Sequence, residues 1–299
     1  MTKPRLRNLF MVLILVATLG IFAWYLRTHP EHIAQLRQLK PGWLGLILLA
    51  NAGGMAALVG LYQVLVRMLG LNMAATENML LSIYSSIANF FGPMQSGPGV
   101  RAAYLKAKHH IPVRRYVLAT LFAYAVFAIL SAFCLLVGAR PWWQTLLAVL
   151  AAAACSGVVI HFFVRKRSST HGRLILTKGL LAGVVVFTVL QICFLTLRFY
   201  FALTATGAEV SLGQALSYTG AANFALFVSL TPDGIGIREA FLYAAQGIHT
   251  VSTPEIVAAS LVDRATYVLF LGLLFLLAVS LHAKSRIERF TKAKSTIVE

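Results

Sequence analysis

The chain has 299 residues, 59% of them hydrophobic and 12% charged, with a net charge of +17 and a mean hydropathy of +0.79. A soluble fold of this length cannot hide so much apolar surface, so an integral membrane protein is expected. The positive charge does not point to nucleic acid, because Lys and Arg fall where membrane topology would put them.

Apolar stretches near 8–26, 43–66, 116–138, 142–164, 180–203 and 255–281 are each about twenty residues or more, enough to cross roughly 30 Å of hydrocarbon. Six full crossings are predicted. They are read as helices because alternating strands of about ten residues are absent, and lipid tolerates only helices or closed barrels. Segment 8–26 follows Lys3, Arg5 and Arg7 and lacks a small-x-small site before Trp24-Tyr25, which fits an uncleaved signal anchor. His29 to Lys40 reads either as a short interfacial helix ending at Pro41 or as a plain loop. Segment 142–164 links two halves, and 282–299 is a basic cytoplasmic tail. Cys134, Cys155 and Cys193 stand singly in apolar helices, so neither a disulfide framework nor a metal site is indicated. No soluble catalytic domain is expected within these residues.

With the N-terminus in the cytoplasm and Arg101 counted at membrane depth, eighteen of the twenty-six Lys and Arg lie in cytoplasmic segments: the N-terminus, 67–115, 165–178 and the tail. Arg27, Arg37, Lys40 and Arg140 fall on the other side. Both termini are then cytoplasmic. Arg165-Lys166-Arg167 and the run from Lys284 to Lys294 would also attract anionic lipid.

The segment Tyr84-Ser85-Ser86-Ile87-Ala88-Asn89-Phe90 returns as Tyr218-Thr219-Gly220-Ala221-Ala222-Asn223-Phe224. Each copy is followed by Gly-x-Gly-x-Arg: Gly97, Gly99 and Arg101, then Gly234, Gly236 and Arg238. Duplicated, glycine-interrupted apolar segments point to a transporter-type site near the middle of a membrane. The first copy begins and ends among cytoplasmic basic residues, whereas the second begins and ends outside. Each is therefore predicted to be a re-entrant hairpin. The expected fold is all-α: six transmembrane helices and two re-entrant helical hairpins in an inverted repeat. The first repeat is 43–138 with hairpin 77–105, and the second is 180–281 with hairpin 212–246. Backbone of this kind is tolerated at membrane depth only inside protein or along a wet cavity, so the hairpin tips should meet in the interior. A rival count treats the hairpins as crossings, but 78–92 is short and is cut by Gly92-Pro93.

Gly-x-Gly-x-Arg at the start of a helix combines a tight turn and close backbone approach with unpaired N–H groups and a positive dipole end. An arginine one step on could grip a phosphate through two hydrogen bonds. Arg101, Arg198, Arg238 and Arg264 all fall at membrane depth, where charge is costly and by default functional. Asp233, Glu239 and Asp263 are the acids near them, all in the second half. Cross-pairs such as Glu239 with Arg264 or Asp263 with Arg238 are predicted. Arg101, left without a carboxylate, is the first choice to contact lipid phosphate. Asn89 and Asn223 occupy the same place in both copies of the motif, where an amide can satisfy freed backbone groups or a headgroup. Tyr84 and Tyr218 either line the cavity or anchor at the interface. Pro93, Pro98 and Pro232 stop helices. His109-His110 has no metal-ligand spacing and receives no role.

The combination Asn-Phe, Gly-Pro, Gly-x-Gly-x-Arg and Thr231-Pro232-Asp233-Gly234-Ile235-Gly236-Ile237-Arg238-Glu239-Ala240 resembles the lysylphosphatidylglycerol synthase transmembrane-region family, also described as flippase-like. The resemblance covers roughly residues 8–281, and Arg264 fits the family's arginine in the helix after the second motif. It implies a likeness to the lipid-translocating portion of bacterial multiple-peptide-resistance proteins, and hence a bacterial cytoplasmic membrane. Pro98-Gly99-Val100 and Ala123-Tyr124 stand where acids are common in the family, in keeping with a cationic first hairpin.

The expected function is a flippase-like transporter moving a phospholipid or polyprenyl-phosphate-linked molecule between leaflets. Its substrate site would be Arg101, Arg238, Arg264, Gly97, Gly99, Gly234, Gly236, Asn89 and Asn223, with Asp233, Glu239 and Asp263 in structural ion pairs. The expected partner is an anionic lipid headgroup or lipid-linked phosphate, with no cofactor, no metal and no nucleic acid; an oligomer is compatible with this reading. The alternatives are a membrane-embedded transferase on a lipid-linked substrate, with Asp233 or Glu239 as base, and a non-transporting scaffold for a lipid or envelope-synthesis enzyme.

Overall fold

The computed structural model describes residues 40–91, 96–136, 174–228, 240–242 and 251–298, with Trp24, Arg27 and Thr28, and past Leu281 only the backbone. Its helices are α1 (Pro41–Met68), α2 (Ala75–Phe91), α3 (Gly97–His109), α4 (Val113–Leu136), α5 (Lys178–Ala205), α6 (Leu212–Val228) and α7 (Thr253–Val298). No strand occurs among the described residues. Helices α1, α4 and α5 and the Pro254–Leu281 part of α7 are long and apolar enough to cross a membrane. The predicted crossings 8–26 and 142–164 lie outside the described residues, as does most of hairpin 212–246 beyond Val228. The segment 282–299, expected as a separate tail, continues α7 as one helix to Val298.

Local chemistry explains where these helices start and stop. Pro41 opens α1, a position where the missing N–H costs nothing. Thr177 Oγ1 accepts from the Leu180 N–H at 3.3 Å to cap α5. A reciprocal cap starts α6, where the Ser211 N–H donates to Gln214 Oε1 at 2.8 Å and the Gln214 N–H to Ser211 Oγ at 3.3 Å; at α7 the Ser252 N–H donates to Glu255 Oε2 at 2.9 Å. Helices α1 and α5 end alike, at left-handed Gly70 (φ +80°) and Gly207 (φ +93°). Leu71 N–H returns to Val66 O at 3.1 Å, and Ala208 N–H to Leu203 O at 3.2 Å.

Helices α1 and α5 run antiparallel and form the centre of the bundle. Gly53 and Gly60 on α1 leave space that the rings of Phe194 and Phe187 on α5 fill, and Gly183 on α5 faces Val64. Small residues that admit a facing side chain are how membrane helices associate without a hydrophobic driving force between them. Around this pair α2 packs on α3 and on α7, and α4 packs on α6. One core cluster runs from Leu61 to Met73 with Leu81, Leu105, Tyr116 and Val184. A second gathers Phe199, Leu203, Tyr218, Leu242, Ile256 and Val262 with Ile47. Outward faces stay apolar, as at Leu49, Val186 and Leu276, which are half or more exposed. An apolar exterior of this kind suits lipid, and the chain is a multi-pass membrane protein.

Candidate functional site

Helices α2 and α3 fold back on each other as a close antiparallel pair. At the turn end, a Cβ on Gly97 would overlap the Ser85 carbonyl oxygen and come within 3.0 Å of the Asn89 Cβ. This glycine is required by close approach. Gly99, by contrast, has nothing within 4 Å and no positive φ, so the Gly-x-Gly spacing reflects one structural demand, not two. Ser96 Oγ donates to the Ala88 carbonyl across the turn, and the first turn of α3 has no side-chain cap.

At the other end, Glu77 Oε1 accepts from Tyr104 Oη at 2.8 Å and lies 2.7 Å from His109 Nε2 and 3.0 Å from Lys108 Nζ. Partial burial pushes the Glu77 carboxyl up, but the hydrogen bonds from His109, Lys108 and Tyr104 outweigh it and hold the group at about 2. His109, given no role from sequence, thus helps clamp the hairpin base. The first half does contain an acid, but it binds these side chains and not Arg101.

A partly open cavity of about 210 Å³ lies where α1, α2, α4, α5, α7 and the start of α3 meet. From the hairpin it takes Ser85, Ser86, Asn89, Gly97 and Pro98. Arg198, Asp263 and Arg264 form its charged wall, with Tyr62, Tyr124 and Tyr267 among the aromatic residues around it.

The charged wall is organised by Arg198 on α5. Its Nη2 donates to Asp263 Oδ2 at 3.0 Å and its Nη1 to Asn51 Oδ1 at 3.1 Å. Its Nε lies 2.7 Å from Asp263 Oδ1, an ionic contact whose angle falls outside hydrogen-bond geometry. The Tyr267 ring sits 5.1 Å from the guanidinium carbon. Only 13% of the Arg198 side chain and 1% of that of Asp263 is exposed. Asn51 and Asp263 lie about ten residues, or ~15 Å, inside their helices, near mid-depth of a span.

The structure redistributes the predicted site. Asp263 pairs with Arg198; its predicted cross-pair, Arg238, lies outside the described residues, as do Asp233, Gly234, Gly236 and Glu239. Arg264 does face the cavity. Arg101 has no carboxylate partner among the described residues, and it does not line the cavity. Its guanidinium is buried against neutral groups, donating from Nη1 to Asn78 Oδ1 at 3.2 Å and from Nη2 to Ser82 Oγ at 2.7 Å. It stacks on Tyr62 at 3.5 Å, so its path to the cavity runs through that ring.

Asn89 and Asn223 do not take equivalent places. Asn89 lines the cavity, whereas Asn223 is buried and donates to Ser131 Oγ at 3.2 Å. The physical reason is register: Gly70 and Gly207 are separated like Gly97 and Gly234, while the repeated heptapeptide recurs three residues sooner. It therefore starts about one turn earlier along α6, where Gly220 also presses on the α4 backbone at Ser131 and Leu135. Tyr84 packs partly buried between α2 and α7, and Tyr218 is fully buried in the second core; neither lines the cavity.

Sequence reading counted Arg198 as an intramembrane charge but gave it no role, and it passed over Asn51, Tyr62 and Gln191, the last of which lines the cavity from α5. Asn51 and Gln191 carried a usable signal, being lone amides within otherwise apolar crossings. Tyr62 carried none.

No curated protein gives a match to the chain. The family model described as "Lysylphosphatidylglycerol synthase TM region" matches residues 9–275, a span that takes in every described helix except the last turns of α7. The repeated motifs, the apolar helices and this match lead to one conclusion: the chain belongs to the lysylphosphatidylglycerol synthase TM region family.

Proposed function

We propose that this protein is a flippase-like transporter, not an enzyme, carrying a phosphate-bearing lipid between leaflets of a bacterial cytoplasmic membrane. The observation that carries the reading is the cavity: a headgroup-sized space at the hairpin turn, faced by Arg198 and Arg264 and by the start of α3. The N–H groups of a helix start and the Arg264 guanidinium favour an anion, and phosphate is the anion a membrane supplies. A scaffold would instead have its hairpins packed shut.

The inverted-repeat reading is supported by matched lengths and matched packing. Helices α1 and α5 each have 28 residues, and α2 and α6 each have 17. Contacts pair across the halves, with α4 on α6 and α7 on α2. Helices α2 and α3 are too short to cross and fold back on each other, as a re-entrant hairpin does. Rocking of the two halves about the α1–α5 contact would give alternating access. Sidedness is supported by charge. Arg67, Lys106, Lys108, Arg114, Arg115 and Lys178 gather where α1 ends and α4 and α5 begin, with Ile175 N–H bonded to Met68 O at 2.9 Å. The opposite end holds Lys40, Glu209 and Glu255. The basic end is cytoplasmic on this reading.

The test is translocation of fluorescent phospholipid in vesicles reconstituted with purified protein. Arg264→Ala should cut the rate at least tenfold while the protein still inserts, and Arg264→Lys should restore part of it. An unchanged rate in Arg264→Ala, or a chemically modified lipid product, would overturn the proposal.

A further inference from the structure

Arg198 ties three helices together at mid-depth of the bundle. From α5 it reaches Asn51 on α1 at 3.1 Å and Asp263 on α7 at 3.0 Å, with a further ionic contact to Asp263 at 2.7 Å. Helix α7 packs on the hairpin helix α2 as well as on α5. Arg198 and Asp263 therefore stand on different helices of the cavity wall, and a rearrangement that carries α7 with α2 past α5 separates them. A buried charge parted from its partner is costly, and more so at membrane depth. The pair thus locks the empty carrier, slowing its movement by on the order of a hundredfold or more.

Both members of the pair line the partly open cavity, so each can be met from it. A phosphate can take the guanidinium edge that the carboxylate leaves. The carboxylate, only 1% exposed, then neutralises by taking a proton, as a buried charge without its partner does. Asp263 is the one acid lining the cavity among the described residues. The other charged or titratable groups around the cavity are Tyr62 from α1, Tyr124 from α4, Arg198 from α5, and Arg264 and Tyr267 from α7 itself. Helix α2 and the start of α3 present neutral groups. Asp263 is left as the carboxylate that can accept.

We propose that transport is coupled to protons at Asp263: one proton enters with each lipid phosphate, and both leave together at the opposite leaflet. This rests on the lipid-transport reading above and adds its driving force. The Asp263 carboxylate takes one proton from cavity water, and the phosphate monoanion takes its place on Arg198. No other bond changes, and the two additions sum to zero charge. Movement of the loaded carrier is therefore electroneutral, driven by a pH gradient and not by the membrane potential. An acid exterior draws lipid toward the cytoplasmic leaflet.

The test uses phosphatidylcholine vesicles reconstituted with the purified full chain and a trace of fluorescent phosphatidylglycerol, with protein-free vesicles as the baseline. With the potential clamped, a gradient of one pH unit should shift the probe about tenfold toward the alkaline leaflet, because one proton per lipid transmits the whole proton ratio. Reversing the gradient should reverse the shift, and a potential imposed at equal pH should leave the probe evenly spread. In Asp263→Asn, which keeps the shape and cannot take the proton, movement should follow the potential and ignore pH. An even spread under the pH gradient, or a wild-type response to the potential, would overturn the proposal and leave the lipid-transport reading standing. A pH response that survives in Asp263→Asn would do the same. No protein-dependent movement under any gradient would overturn both. Should Asp263→Asn fail to insert, the wild-type gradients decide alone.

Discussion

Replacing Asp263 by Asn tests the electrostatic centre of the bundle most directly. The substitution keeps the shape but removes the charge that both Nε and Nη2 of Arg198 contact. Arg198 would retain Asn51 and the Tyr267 ring, neither of which compensates a full charge. Breaking a buried pair by removing one partner costs about 3–5 kcal/mol, and a lone arginine at the centre of a membrane helix costs about 2.5–3.5 kcal/mol on insertion scales. The two figures agree, so a loss of about 3–5 kcal/mol is expected. Arg198→Met should cost a similar amount by stranding the carboxylate. The double variant removes both charges together, and its loss should be far smaller than the sum, giving a coupling of about 3 kcal/mol. The assay is equilibrium unfolding of purified protein in mixed micelles, on wild type, both single variants and the double. Losses that add to within about 0.5 kcal/mol would refute the reasoning, because they would mean that the two charges do not depend on each other.

Gly97→Ala should destabilise by about 1–3 kcal/mol, because the new methyl meets the Ser85 backbone, which cannot step aside; Gly99→Ala, in open space, should be neutral or stabilising by up to about 1 kcal/mol. Unfolding measurements on the two variants check this contrast. Gly220→Ala should cost at least as much as Gly97→Ala, since its Cβ would enter the α4 backbone at Leu135 and Ser131. Glu77 gives the pH response: its carboxyl is held at about 2, below its ordinary 4.5, so its contribution is present above pH 4.5 and is lost as pH falls from there toward 2. Hydrogen exchange in α2 and α3 should accelerate over that window in wild type relative to Glu77→Gln, and parallel pH curves would contradict the clamp. Arg101→Met should leave stability within about 1 kcal/mol, because a buried cation with no carboxylate partner among the described residues is replaced by an apolar chain of similar length; a large loss in the same unfolding assay would show that its three neutral partners compensate the charge.

The four crossings among the described residues were legible because their signal is local. Runs such as 43–66 and 180–203 announce helices by composition alone, and the structure extends each by two residues at either end, to Pro41–Met68 and Lys178–Ala205. The hairpin was legible from Gly92-Pro93 and from its length. Which glycine it needs was not, because Gly97 and Gly99 differ only in what stands opposite them. The asparagines misled for a related reason: similar heptapeptides imply equivalent places only if helix register is kept, and it shifts by a turn.

Sequence by itself determined that this chain lives in a membrane, that it is helical, that it carries a duplicated motif and which family it resembles. All of these follow from composition, run length and self-similarity, which need no knowledge of what touches what. The tertiary structure decided which charges meet. Arg198 finds Asp263 across 65 positions and Asn51 across 147, while Arg101, the arginine of the motif, is drawn behind Tyr62. Pairing among buried charges depends on three-dimensional distance at low dielectric, a quantity that spacing along a chain does not encode.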